Sequence, residues 1–238
     1  MLTDHPSLLG KFAHTHREAR TMRATSVHAK VITAYHGSGC AIEQFDYTFT
    51  GQGNDQNGSG FYFTTDLTEA IGYCTAEIEG KAKLGGLNSP TVHVSQLTFK
   101  GLINNTENVV ITKIQAQRIL MHSPILDNVL ENWDASNIGQ QAALEEAAVN
   151  YTHDKNQGPV IHTLFALSND FFPNHIKQFN TAVYEVLGID GVEQDNGESI
   201  HYLAFFPEQI KVMERMTLDA ALERVDSSKG QPIFRPKG

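Results

Sequence analysis

The order of secondary-structure signals along this chain predicts an α+β fold. Strand-like segments dominate up to Phe99, helical periodicity takes over from 112 to 171, and strand-like segments return after residue 190. Segregation of this kind argues against an alternating βαβ sheet. No internal repeat and no long linker divides the chain, so its 238 residues read as a single domain. That domain carries an N-terminal helical extension over 1–26, a helical insertion over 112–171 and a polar tail over 226–238.

Each element has its own local signal. From Ser7 to Met22, Leu8, Leu9, Phe12 and Ala13 recur at helical spacing among basic residues, which reads as a short amphipathic helix. VHAKVITAYHGS reads as a strand running into a Gly-Ser-Gly turn. Residues 51–60 (GQGNDQNGSG) have nothing to bury and read as a loop. FYFTT follows as a strand of aromatic and β-branched residues. A helix then runs from Asp66, its N-cap, with Glu69 three residues on, to Gly85 and Gly86. Thr91 to Phe99 alternates apolar and polar residues, the pattern of a half-exposed strand.

The helical stretch comprises IQAQRILMH, ILDNVLENW, GQQAALEEAAVNY and PVIHTLFAL, followed by IKQFNTAVYEVLG. A turn at Ile189-Asp190-Gly191 precedes the strand ESIHYLAFF, a turn at Pro207-Glu208, the strand QIKVME and a last helix, LDAALERV. The amphipathic pattern of the helical insertion predicts that it packs on the core.

Composition sets outer bounds. Eighteen basic against 27 acidic residues give a net charge of −9, and the pI is about 5.6. That balance disfavours a protein that coats nucleic acid by bulk electrostatics. Two cysteines, Cys40 and Cys74, support neither a disulfide scaffold nor a four-thiolate zinc site. No apolar run approaches the roughly 18 residues needed to span a bilayer. The first twenty residues lack a signal-peptide apolar core. The chain therefore reads as soluble and cytoplasmic, with no membrane partner.

Three short segments carry the chemical information: YHGSG (35–39), GFYFTTDLTEAIGYC (60–74) and GESIHY (197–202). To these is added Phe206-Pro207-Glu208-Gln209-Ile210-Lys211. In this order and setting they resemble the ADP-ribosyltransferase superfamily, in its His-Tyr-Glu branch of diphtheria-type toxins and poly(ADP-ribose) polymerases. Within that branch they are most similar to ADP-ribosyltransferase domains of bacterial and phage polyvalent and toxin proteins. The resemblance covers 31–74 and 184–213 and leaves the helical insertion outside it. It implies two small, mostly antiparallel sheets that form a cleft for NAD⁺ and are flanked by helices.

The resemblance also implies roles. Glu198, His36 and Tyr62 would be the catalytic set, and His36, Gly37, Ser38, Tyr62 and Tyr73 would bind NAD⁺. Breaking the nicotinamide–ribose bond puts positive charge on the sugar, which a fixed carboxylate stabilises; Glu198 is the candidate. Tyr62 and Tyr73 would bracket the flat nicotinamide ring. The Gly37 backbone would pair with the nicotinamide amide, a glycine permitting close approach. His36 would donate to the adenosine-side ribose hydroxyl, assisted by Ser38. Loop 51–60 falls where the family keeps a flap over NAD⁺.

Strand alternation puts 198, 200 and 202 on one face and 199, 201 and 203 on the other, so His201 points away from Glu198 and reads as structural. Glu208 is a second acidic candidate, but Pro207 puts it in a turn. His14 and His16 do not share a helix face, and no metal site is expected. Lys81 and Lys83 have no Walker pattern around them and read as helix C-terminal charges. Arginine-modifying relatives carry an acidic residue two positions before the catalytic Glu, where this chain has Asn196.

The implied function is transfer of one ADP-ribose from NAD⁺ to a macromolecular acceptor, a protein or an RNA or DNA base, by a bacterial or phage toxin, effector or defence enzyme. An antitoxin or immunity protein is a further implied partner. The alternatives are an NAD⁺ glycohydrolase on the same fold and a non-catalytic NAD⁺- or partner-binding module.

Overall fold

A computed structural model describes residues 29–49, 60–75, 89–105, 110–152 and 160–229. The basic N-terminal helix, the loop at 51–59, the continuation of the helix past residue 75, Lys81, Lys83 and the tail from 230 lie outside the described residues.

Seven strands form one open mixed sheet in the order β4-β5-β6-β2-β1-β3-β7. The strands are β1 (Lys30–Ser38), β2 (Phe61–Thr64), β3 (Thr91–Phe99), β4 (Leu102–Asn104), β5 (Gly191–Asp195), β6 (Ile200–Ala204) and β7 (Ile210–Thr217). Only β4 and β5 pair in parallel; every other neighbour is antiparallel. Eight α-helices accompany them among the described residues: α1 (Leu67–Thr75), α2 (Lys113–Leu120), α3 (Leu126–Glu131), α4 (Ala135–Ile138), α5 (Gln140–Asn150), α6 (Val160–Phe171), α7 (Ile176–Leu187) and α8 (Leu218–Lys229). The class is α+β, as the element order predicts.

The expectation of two separate sheets needs correction. The strands are continuous, but the middle of the sheet is narrow. β1 and β3 pair along their whole length, from Lys30↔Phe99 to Ser38↔Thr91, whereas β1 and β2 are joined through the single pair Tyr35↔Thr64. The cause is local. β2 spans four residues, and two residues past its end Asp66 caps α1, its carboxylate accepting from the Thr68 N–H at 2.6 Å. The early end of β2 leaves nothing to pair with β1 before Tyr35; beyond it, where both strands continue, the His36 imidazole meets the Tyr62 carbonyl in place of a ladder bond. The sheet therefore has two well-paired halves that meet at a seam.

The two faces are covered differently. One face carries Ala34, Phe61, Phe63, Leu97, Phe99 and Tyr202, packed with Phe45 and Tyr47 from the segment after β1. On the other face, α1 and α8 cover the β1–β3–β7 half through Ala70, Cys74, Val92, Val94, Met216 and Ala221. The helices between β4 and β5 cover the β5–β6 half, where Leu120, Leu164, Phe171 and Val183 share a cluster with Val192, Leu203 and Phe205. Core packing is thus what the helical insertion does, and it supplies most of the largest core cluster.

Three local expectations change. β3 is buried on both faces, because Phe45 and Tyr47 pack on one and α1 and α8 on the other; Thr91, His93 and Ser95 are all buried. Two strands, β4 and β5, carry no strand signal of their own. They are short, and a buried carboxylate fixes them in place. Asp190 accepts the Lys100 and Gly101 N–H groups at 2.8 and 2.9 Å, tying the β3–β4 turn to the start of β5. The third change concerns the strand read from Glu198, which begins at Ile200.

Candidate functional site

Strand alternation and register decide which side chains can meet. Thr64 pairs with His201 and Tyr62 with Leu203, while Thr64 also pairs with Tyr35. Tyr62, Thr64, His201, Tyr35 and Gly37 therefore share the face on which α1 lies. His36 and Phe63 are on the opposite face.

His36 lies in an aromatic nest, with ring centroids 5.1 Å from Phe45, 5.5 Å from Phe63 and 5.9 Å from His93. Its Nδ1 is 2.7 Å from the Tyr62 carbonyl oxygen. A carbonyl only accepts, so Nδ1 carries the proton. Burial lowers the His36 pKa below its ordinary value, and the bond to Tyr62 offsets this only in part. In the neutral ring Nε2 is then an acceptor. A ribose hydroxyl would donate to it, the reverse of the direction the resemblance implies. Behind it, His93 is fully buried. It accepts the Ile42 N–H at Nε2 (2.8 Å), and its Nδ1–H is directed at the His36 carbonyl (3.3 Å).

Gly37 has no room for a side chain. A Cβ there would lie 1.8 Å from the Ala70 carbonyl oxygen and 3.0 Å from the Tyr73 Cβ. The close approach that demands glycine is therefore to α1. Ser38 serves the turn after β1, its Oγ accepting the Cys40 N–H at 3.3 Å.

Tyr73 is rooted over Gly37 on α1, with the residue 54% exposed. Tyr62 is half-buried and packs against the helical cluster beside Leu203. Gly37 thus lies beneath the root of Tyr73, on the face of the sheet that also carries Tyr62.

Glu198 is on neither face. The Asn196 N–H donates to the Ser199 carbonyl at 3.0 Å, which leaves Gly197 and Glu198 as the tip of the β5–β6 hairpin. Gly197 has φ +84° and Glu198 does not share the positive φ, the signature of a type II′ turn. The side chain is exposed.

A different carboxylate faces the seam. Glu69 Oε1 is 2.6 Å from His201 Nε2, and Thr64 Oγ1 donates to Glu69 Oε2 at 2.5 Å. Gln194 Nε2 donates to Asn196 Oδ1 at 2.9 Å, so the Asn196 side-chain nitrogen Nδ2 is the group 3.1 Å from His201 Nδ1. Nδ1 accepts, and Nε2–H donates to Glu69. Burial pulls the Glu69 carboxyl up, but bonds from Thr64, Ser199 and His201, with the His201 charge, outweigh it and hold the group below its ordinary value.

Sequence reasoning passed over both residues. Glu69 reads as a capping-box partner of Asp66, yet the Asp66 N–H is taken by Thr64 Oγ1 at 3.1 Å, which frees Glu69 to face the strands. His201 reads as structural because strand alternation points it away from Glu198, the expected carboxylate. The available signal was the shared parity of Tyr62 and Thr64, but its use requires the β2–β6 register.

Glu208 lies elsewhere. It lines a separate cavity of about 410 Å³ beside Phe45, Lys211 and Arg215, on the side of the sheet that carries His36. Among the described residues, no group of three or more His, Cys, Asp or Glu side chains could hold a metal ion. No described helix is long and apolar enough to cross a membrane.

No protein-family model, curated protein or solved structure matches this chain.

Proposed function

We infer that the chain is a mono-ADP-ribosyltransferase that uses NAD⁺ as substrate and a macromolecule as acceptor. The observation that carries this reading is that Gly37 lies beneath the root of Tyr73 and shares a face of the sheet with Tyr62, at the seam where β1 and β2 pair only through Tyr35 and Thr64. Two aromatic side chains on different elements, β2 and α1, thus share that face with a glycine. A flat, electron-poor ring such as nicotinamide suits such a site. The motif resemblance over 31–74 and 184–213 supports the same reading.

In the reaction the C1′–N1 bond to nicotinamide breaks and its electron pair leaves with the neutral base. The acceptor's lone pair forms the new bond to C1′, and the acceptor's proton passes to water. The biological setting, a bacterial or phage toxin, effector or defence enzyme opposed by an antitoxin or immunity protein, rests on the resemblance alone.

The test is incubation of the full chain with labelled NAD⁺, with and without bacterial lysate, followed by protease or nuclease treatment. Label that enters macromolecules and is released by one of the two supports transfer and names the acceptor class. Nicotinamide release undiminished without lysate makes the protein a glycohydrolase. NAD⁺ binding without turnover makes it a binding module, and absence of binding removes the reading.

A further inference from the structure

The seam holds a built polar cluster that the motif reading did not use. Tyr62 and Thr64 on β2 and His201 on β6 share one face. Glu69 and Tyr73 stand four residues apart on α1, so they lie on the same side of that helix, about 6 Å apart along its axis. The Glu69 carboxylate joins the two elements through Thr64 at 2.5 Å and His201 at 2.6 Å. It retains 28% side-chain exposure against 19% for His201. Glu69 is thus held rigidly and still open to a ligand, while both His201 nitrogens are engaged, one by Glu69 and one by Asn196. Glu198, at the exposed hairpin tip, has no such support.

We propose that Glu69, not Glu198, is the carboxylate that faces the nicotinamide ribose, with His201 as its positioning residue. The assignment rests on the ADP-ribosyltransferase reading. A carboxylate stabilises a developing cation best when its orientation is fixed before the reaction, since nothing then reorganises as charge appears. Glu69 meets that condition, with one oxygen held by Thr64 and the other by His201. It stays ionised throughout and forms no covalent bond. The groups facing it are Thr64 from β2, His201 and Ser199 from β6 and its preceding turn, and Tyr73 from its own helix. Burial first, and then the negative charge of Glu69, raise the Tyr73 phenol above its ordinary pKa, which agrees with the carboxylate lying toward that ring.

The experiment compares nicotinamide release and NAD⁺ affinity for the full chain and for Glu69→Gln, Glu198→Gln and His201→Asn, with unfolding temperature as a control. Glu69→Gln should lower kcat by about 10²–10³-fold with NAD⁺ affinity nearly unchanged, because only a contact stronger in the transition state accelerates the reaction. Glu198→Gln should stay within about twofold of the parent. His201→Asn, whose amide still donates to Glu69, should lose about tenfold in kcat. Its NAD⁺ affinity should again stay nearly unchanged, so that the loss falls on kcat and not on binding. Should Glu69→Gln not fold, Glu69→Asp keeps the charge but shortens the reach, and a kcat at least tenfold lower is then the expected result. If Glu69→Gln or Glu69→Asp keeps the parent's kcat, or Glu198→Gln alone loses it, the assignment is overturned while the function stands. A parent inert toward NAD⁺ overturns the functional reading, and the assignment with it.

Discussion

His36 and Tyr62 stand on opposite faces of the sheet and are joined through the backbone, the imidazole Nδ1–H donating to the Tyr62 carbonyl at 2.7 Å. That bond crosses the seam where β1 and β2 share only the Tyr35↔Thr64 pair. A side chain here does what a missing ladder bond would do.

His36→Phe should therefore keep the contacts with Phe45 and Phe63 while removing the hydrogen bond to the Tyr62 carbonyl. The expected loss is about 1–3 kcal/mol of folding stability, read by denaturant unfolding at neutral pH. A variant as stable as the parent would mean that the seam does not depend on this bond.

Tyr73→Ala separates binding from folding. Because the ring is 54% exposed, its removal should change stability by no more than about 0.5 kcal/mol. If it forms one wall of a nicotinamide site, NAD⁺ affinity should fall by about 0.5–1.5 kcal/mol, roughly two- to tenfold. Calorimetric titration with NAD⁺ alongside thermal unfolding gives both numbers.

Gly37→Ala should be severe. The added methyl would meet the Ala70 carbonyl at 1.8 Å, and backbone has no rotamer with which to yield. Pushing α1 off β1 should cost about 3 kcal/mol or more and displace Glu69 and Tyr73 together. Circular dichroism and denaturant titration would show it, and normal stability would contradict the packing described for α1.

Stability should fall on mild acidification. Burial, the neighbouring His36 and, last, Arg215 lower the His93 pKa from 6.5 to about 4, against a bond to the His36 carbonyl that raises it. Its folded pKa lies below its unfolded value, so between these two values the unfolded chain binds a proton that the folded chain refuses. Folding stability is then fully present above about pH 6.5 and declines toward pH 4, by about 3 kcal/mol in total from this residue. The ionised Glu69 adds in the same direction at lower pH. Its depressed pKa gives stability that is present above the ordinary carboxylate value and lost as pH falls through the folded value. Denaturant midpoints measured from pH 7 to pH 4 should show the slope, and His93→Gln, which can still accept from the Ile42 N–H, should flatten it.

Local composition was enough to determine the class and most elements. β1, β2, β3, β7 and helices α2, α3, α5, α6, α7 and α8 follow from periodicity, capping residues and turns, because each signal is contained within a few residues. What the sequence left undecided depends on partners far along the chain. β4 and β5 are too short to announce themselves and exist because Asp190 ties Lys100 and Gly101 to the start of β5. The alternation of β3 gave no sign that His93 and Ser95 are buried, since burial of a strand's second face depends on what packs there.

The same limit governs the site. Tyr62, Tyr73, Gly37 and His36 were legible as motif positions, but not the face each occupies, because a shift of one residue exchanges the faces of a strand. The start of β6 at Ile200 leaves Glu198 in an exposed turn, while the pairing of His201 with Thr64 turns it toward Glu69. Sequence provides the side chains; strand register and the seating of α1 on Gly37 decide which carboxylate meets Thr64 and His201.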